Sequence, residues 1–413
     1  MLASLTNFIL SGESLSDAFG YKDDYLYISF LFLCLPLGWI NRCSYLFGLP
    51  PFSKLANAVQ LLLTLRLVSL AADTREYLSG PLSKIDLFPN NYSRFLDHQQ
   101  GSLLSRFFQY TCFSYCFLGL FTGPFFRAKT YNDMICNPNL YRIPYRHGLI
   151  KVIFYLPLYI SVHLILAKLF PFDFVGTEEY YAHEWGALFR LAYFVPYCVA
   201  FRWRFYIAWT ISVASCILAG LGAYPESAKC RPGIGPTCNP KTEDNTVDYK
   251  TVENLEVWEI ETSTTIDGPL QHWNMTVQSF FYYYIYKSFP NRTFGRLVTF
   301  ALSAYWHGLN LGYYIAFFMF MFCITAQYCF IRFTQPLRVK GTEKVWLVLD
   351  FLCAWRAYEY NGFAFLLLTP EKIFRAWASV YYIGHYITVV WVLIGAFQLL
   401  FGTLFMKSKK KLA

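Results

Sequence analysis

Long apolar runs separated by short polar breaks dominate the chain, and they predict its fold class. Stretches free of Asp, Glu, Lys and Arg extend over Phe107 to Phe126, Val152 to Ala167, Phe205 to Pro225, Leu297 to Ile331 and Ala376 to Met406. A helix crosses the hydrocarbon layer in about 20 residues, whereas a transmembrane barrel shows short alternating segments. The expected fold is an all-α, polytopic membrane bundle with roughly ten spanning or embedded helices, counted at about 20 residues each. The first span is expected near Tyr25 to Ile40. It follows a polar segment, residues 1–24, that lacks the basic start, short apolar core and small-residue cleavage site of a signal peptide.

The breaks organise the chain as one membrane domain, residues 25–406, with a polar loop at 226–271 and a basic tail at 407–413. The loop opens with Lys229-Cys230-Arg231-Pro232-Gly233, which is turn chemistry, and Tyr249 to Ile260 within it is expected to form a short amphipathic element. A second polar gap, Asp73 to Gln100, contains Asn91-Tyr92-Ser93, a glycosylation acceptor if that side is lumenal. Pro124, Pro196 and Pro225, with Gly220 and Gly222, predict kinks or helix ends, and a kinked bundle encloses cavities. Lys407, Lys409, Lys410 and Lys411 follow the last span and place the C-terminus in the cytosol. Lys410 and Lys411 resemble a dilysine retrieval signal for the endoplasmic reticulum; a plain basic flank explains them equally well.

Composition sharpens this picture. Of 413 residues, 56% are hydrophobic and only 15% charged, which excludes an ordinary soluble domain. The net charge of +9 is spread over span ends, so it reads as bias toward cytosolic flanks and not as a nucleic-acid-binding block. It also suits an anionic lipid head group or a phosphorylated co-substrate. The 12 cysteines show no metal-ligand spacing and lie mostly in apolar runs; Cys230 and Cys238 share the polar loop and would pair only in an oxidising lumen. There is no Gly-x-Ser-x-Gly elbow, Walker-type loop or His-Glu-x-x-His, which removes the usual support for serine hydrolase, ATPase and zinc-protease readings.

Candidate chemistry centres on His307. From Leu297 to Ile331 it is the one side chain besides tyrosine and cysteine that titrates, and the run is too long for one span and short for two with a loop. His307 is therefore expected near a break at membrane depth, where an ionisable group is a functional-site hypothesis. Neutral imidazole there can serve as general base or proton relay; the bland alternative is a histidine hydrogen-bonded between helices. Ser303, four residues earlier, shares its helical face and can orient the ring.

Asn274, where the polar loop returns to an apolar run, can donate a hydrogen bond to an oxyanion, but on spacing alone a helix N-cap is the better reading. Trp273 and Trp306 sit beside these two residues as candidates for substrate contact. Arg202 and Arg204 can bind phosphate, although a cytosolic turn between spans accounts for them better. His272 reads as interfacial. His385, alone in Ala376 to Met406, rivals His307, and Arg356 with Glu359 can pair at helical spacing.

Trp273-Asn274 and Trp306-His307-Gly308, one aromatic span apart, resemble the membrane-bound O-acyltransferase (MBOAT) family. SYCFLGLFTGPFFR at 114–127, FRWRFYIAW at 201–209, GLGAYPESAK at 220–229, HWNMTVQ at 272–278 and LSAYWHGLNLGYY at 302–314 are similar to its lysophosphatidylinositol acyltransferase branch, as is NAVQLLLTLRLVSLA at 57–71. The resemblance runs from about Trp39 to the last span. It implies an MBOAT bundle with a tunnel, acyl-coenzyme A entering from the cytosol as co-substrate and lysolipid from the bilayer, with no bound cofactor or metal.

By the same resemblance His307 is the catalytic histidine and Asn274 its partner, in a direct transfer of a polyunsaturated, arachidonoyl-type chain to the sn-2 hydroxyl of lysophosphatidylinositol. The branch usually carries further spans before the matching segment, so a shortened N-terminal region is expected here. Acylation of lysophosphatidylserine or lysophosphatidylcholine is the nearest alternative. A transporter lined by His307 and Arg356 is the rival from another class, and it would ordinarily show inverted repeats, which are not seen.

Overall fold

The computed structural model describes residues 53–79, 103–137, 143–184, 186–239 and 246–411. The expected polar N-terminal segment, the first span near Tyr25 to Ile40 and Asn91-Tyr92-Ser93 lie outside them. In chain order the helices are α1 (Lys54–Ser79), α2 (Leu103–Ser114), α3 (Ala128–Ile135), α4 (Tyr145–Ile153), α5 (Leu156–Leu169), α6 (Glu178–Ala182), α7 (Gly186–Leu218), α8 (Val257–Glu261), α9 (Asp267–His272), α10 (Met275–Phe280), α11 (Arg292–His307), α12 (Leu311–Thr334), α13 (Glu343–Leu367), α14 (Pro370–Ser379) and α15 (Ile383–Lys411). Among the described residues the one sheet is a two-residue antiparallel pair in the polar insert, β1 (Tyr224–Pro225) with β2 (Val247–Asp248), so the all-α class holds.

The residues fall into two compact units. The first comprises residues up to Phe154, Ala208–Asn254 and Asn274–Pro290; the second comprises Tyr155–Ile207, Leu255–Trp273 and the chain from Asn291 on. The first is centred on Leu70, Phe113, Phe126, Ile217, Leu221 and Val252, all buried. Its least expected feature is Arg66, a fully buried guanidinium in the middle of apolar α1. It donates to the carbonyls of Ser114 (3.1 Å), Cys116 (2.6 Å) and Leu118, just where α2 ends, and lies 4.5 Å from the Phe126 ring centroid. Carbonyls left over at a helix C-terminus carry partial negative charge, so a buried cation there satisfies them and stops the helix. Asp73, one helical stretch later, accepts from Arg127 (2.6 Å) and from the Tyr284 hydroxyl (3.1 Å).

The second unit packs Tyr180, Phe194, Tyr197, Ala316, Tyr360, Phe363 and Trp377 into one aromatic core. Arg190 supports it by donating to the carbonyls of Tyr181 and Ser379, both at 2.8 Å.

Three helical segments are long and apolar enough to cross a membrane: Leu55–Thr74, Tyr145–Phe174 and Leu311–Leu337. A fourth is α14 with the first part of α15, bent by 81° at an elbow where Tyr381 and Tyr382 both adopt positive φ. The expected count of roughly ten is thus not reached among the described residues. The run Phe107 to Phe126 is helical only as far as Ser114, because Arg66 closes it. Phe205 to Pro225 begins inside α7, whose upstream part carries Arg190, Arg202 and Arg204. Leu158, Leu164 and Ile165 on α5 and Val389, Leu393 and Phe397 on α15 expose large apolar side chains, the surface that lipid covers at no cost.

Other local expectations resolve in detail. Pro196, expected at a kink or helix end, lies inside a continuous α7, while Gly220 and Gly222 with positive φ do terminate that helix. Tyr249 to Ile260 forms not one amphipathic element but a 3-10 turn at Lys250–Val252 and the single-turn helix α8.

Candidate active site

His307 is the last residue of α11. Gly308 closes the helix with its N–H on Ala304 O (3.1 Å), and α12 starts at Leu311, so the charge-free run breaks beside the histidine as its length predicts. The imidazole is half-buried among rings: Trp306 at 4.8 Å between centroids, Phe365 at 5.2 Å, Phe317 at 5.5 Å and Tyr313 at 5.6 Å. Ser303 is half-buried one turn earlier on α11.

Asn274 is in the first unit. It stands at the N-cap position of α10, yet its side chain makes no capping bond, so the reading that spacing favours is corrected. The capping is done by Asn254, 22 residues upstream of Thr276. Its carbonyl accepts from Met275 N (3.1 Å), and its Oδ1 accepts from Thr276 N (3.2 Å) and Thr276 Oγ1 (2.6 Å). Thr276 Oγ1 in turn accepts from Phe125 N (2.9 Å). With those amides satisfied elsewhere, the carboxamide of Asn274 is released from structural work, and its Oδ1 is buried without a hydrogen-bond partner. An unmet buried acceptor costs about 1–3 kcal/mol.

The backbone of Asn274 is also left-handed, φ 52° and ψ 45°, a state that costs an L-residue of order 1–3 kcal/mol and that asparagine tolerates best. Two unfavourable features at one residue mark a position held for something other than stability.

The remaining candidates separate clearly. Arg202 and Arg204 are not in a turn between spans; both lie within α7. Arg202 is buried and chelates Glu261, Nε to Oε1 at 2.9 Å and Nη2 to Oε2 at 2.8 Å, with its guanidinium 4.4 Å from the Trp355 ring centroid. Glu261 Oε1 also accepts from Tyr206 OH (2.7 Å) and Trp203 Nε1 (3.2 Å). A guanidinium so engaged has little left for a phosphate, and the tentative substrate role of Arg202 is replaced by an internal one. Glu261 carried no sequence signal as its partner, lying 59 residues away.

Arg204 is exposed, stacks on Phe201 at 4.4 Å and makes no ion pair among the described residues, so it remains available to an anion. Trp273 packs its ring on Phe205 (5.7 Å) and Tyr206 (5.8 Å), in the second unit. His272 pairs with Glu256 (2.5 Å), in keeping with an interfacial residue. The rival His385 is held through Nδ1 by the Tyr360 hydroxyl at 2.7 Å. Arg356 and Glu359 pair at 2.7 Å, as their spacing predicts.

The protein is thus helical, with apolar segments long enough to cross a membrane, a histidine among rings at a helix end and an asparagine without a capping bond where the polar loop meets an apolar helix. Residues 43–369 match the sequence profile of the MBOAT, membrane-bound O-acyltransferase family, and the chain belongs to that family.

Among its relatives is the Homo sapiens membrane-bound acylglycerophosphatidylinositol O-acyltransferase MBOAT7, 36% identical over 84% of this chain and 75% of its own length. The Danio rerio protein of the same description is 32% identical over 85% and 75%. The Drosophila melanogaster acylglycerophosphatidylinositol O-acyltransferase frj is 29% identical over 66% and 57%.

Proposed function

We propose that this protein is an acyl-coenzyme A-dependent lysophospholipid O-acyltransferase that acylates the sn-2 hydroxyl of lysophosphatidylinositol. The observation that carries the reading is Asn274, freed of capping by Asn254 and held in a costly backbone state, in a chain whose relatives are named for acylating acylglycerophosphatidylinositol.

In the proposed reaction neutral His307 takes the proton of the lipid hydroxyl, and that oxygen attacks the thioester carbonyl. The carboxamide N–H of Asn274 donates to the carbonyl oxygen as it becomes negative. The C–S bond breaks, coenzyme A leaves as thiolate, and the imidazolium returns the proton to it. Neither position offers a Cys or Ser nucleophile, so acyl transfer is direct. Arg204, which makes no ion pair among the described residues, is a cation available to a phosphate. The finer parts of the proposal are an arachidonoyl-type acyl chain, residence in the endoplasmic reticulum membrane, and a cytosolic C-terminus addressed by Lys410 and Lys411.

The test is product formation by microsomes carrying the chain, supplied with labelled arachidonoyl-coenzyme A and a panel of lysolipids. Phosphatidylinositol should dominate the products, and His307→Ala should lower turnover by about 10²-fold or more while the protein still inserts. Near-normal turnover in that variant refutes the assignment of His307, and preference for lysophosphatidylserine or lysophosphatidylcholine refutes the head group.

A further inference from the structure

The rings around His307 come from three helices, and the way two of those helices meet is unusually close. Gly312, in the first turn of α12, donates its N–H to the carbonyl of Leu368, the residue that ends α13, at 3.0 Å. A Cβ at Gly312 would lie 2.4 Å from the carbonyl oxygen of Ala364 and 2.7 Å and 2.8 Å from Cα and O of Leu368. Every one of those atoms is backbone, so no side-chain adjustment can make room. Only a residue without Cβ permits the approach.

The contact bears on the histidine through its chain neighbours. Tyr313 follows Gly312 and Phe365 follows Ala364, and their rings lie 5.1 Å apart with His307 at 5.6 Å and 5.2 Å respectively. Phe317, one turn further along α12, is 5.5 Å from the imidazole. In an interior packed to crystal-like density, parting α12 from α13 carries these rings with it.

We propose that Gly312 is a positioning residue for His307: its backbone-on-backbone contact with α13 sets Tyr313, Phe317 and Phe365 against the imidazole and fixes the direction in which that ring can take a proton. The inference rests on the reading of His307 as the base. Its test therefore includes a measurement that needs no activity.

In membranes carrying the full chain, carbethoxylation of each histidine by diethyl pyrocarbonate is followed by peptide mass spectrometry. In Gly312→Ala the labelling rate of His307 should rise about fivefold, the scale of a small change in local stability, while His385, held by Tyr360, keeps its rate. Phe365→Ala should give the same change.

In acyl transfer, Gly312→Ala should cost about 10²-fold in kcat, as a displacement of about 1 Å does, with KM for acyl-coenzyme A within about threefold. Added to Phe365→Ala it should cost less than about twofold more, because both act on one ring cluster. Unchanged His307 labelling in Gly312→Ala, or fully multiplicative losses in the double variant, overturns the proposal. If Gly312→Ala does not accumulate, Phe365→Ala decides alone, and unchanged His307 labelling in it is again fatal. A wild-type chain without transferase activity defeats the functional reading, while the labelling still decides whether Gly312 positions His307.

Discussion

Two polar clusters, one in each unit, handle buried polarity in opposite ways. Around Glu261 the charges are met: one carboxylate receives Arg202 twice, Tyr206 and Trp203, and the guanidinium rests on Trp355, whose own indole N–H is left without a partner. Around Asn274 the backbone amides are met by Asn254, but the carboxamide oxygen of Asn274 is left without a partner and its backbone is strained. A cluster whose charges are paired holds a fold, because each charged group in it would lose by moving. An unsaturated one is poor scaffolding, and it leaves a carboxamide that no internal contact employs.

The comparison is broken most forcefully at Glu261. Glu261→Ala takes from buried Arg202 the carboxylate it chelates, a loss of about 3–5 kcal/mol for buried pairs. Its carboxylate is about a quarter exposed, at 26%, which places the expected cost at the lower end of that range. The folded yield after detergent extraction should collapse and the unfolding midpoint fall. A variant that melts like the wild type would show that the cluster does not hold the second unit.

Asn274 should respond in the reverse sense. Asn274→Ala removes an oxyanion donor and should lower turnover by about 10²- to 10³-fold, or 2.7–4 kcal/mol, with little change in folded yield. Asn274→Gly keeps the left-handed backbone without strain and removes the orphan oxygen, so it should melt no lower than the wild type and be equally inactive. Turnover retained in Asn274→Gly, or a collapse of its folded yield, would erase the contrast between the two clusters.

Much of this was legible along the chain where local rules decide. A charge-free run of the wrong length for one helix or two located the break at His307, and helical spacing paired Arg356 with Glu359. What escaped depends on partners distant in sequence. Asn254 takes over capping from Asn274 across a closed loop, and Glu261 claims Arg202 from 59 residues away. Arg66 reads along α1 as a stray charge, and only the carbonyls at the end of α2 explain it. The apolar run from Phe107 is cut short for the same reason, since it is helical only as far as Ser114, where Arg66 meets its carbonyls.

An exposed ion pair gives the scale against which both clusters are judged. Arg375 grips Glu178 at 2.8 Å and 2.5 Å, a geometry as good as that of Arg202, but Glu178 lies in solvent. The hydrogen bonds from Arg375, and then its charge, hold the Glu178 carboxyl below its ordinary value. A carboxyl with a lowered folded pKa contributes stability above its unfolded value, about pH 4.3, and loses it as pH falls through the folded value. Comparing Glu178→Gln with the wild type, the gap in unfolding midpoint should be less than about 2 °C at pH 7, because exposed pairs contribute little. It should start to narrow as pH falls below about 4.3, close once pH is below the lowered folded value, and close again in about 1 M salt, where the Debye length shrinks to about 3 Å. A gap that survives acid and salt would mean that solvent exposure does not weaken this pair, and burial would then no longer explain why Glu261 matters more.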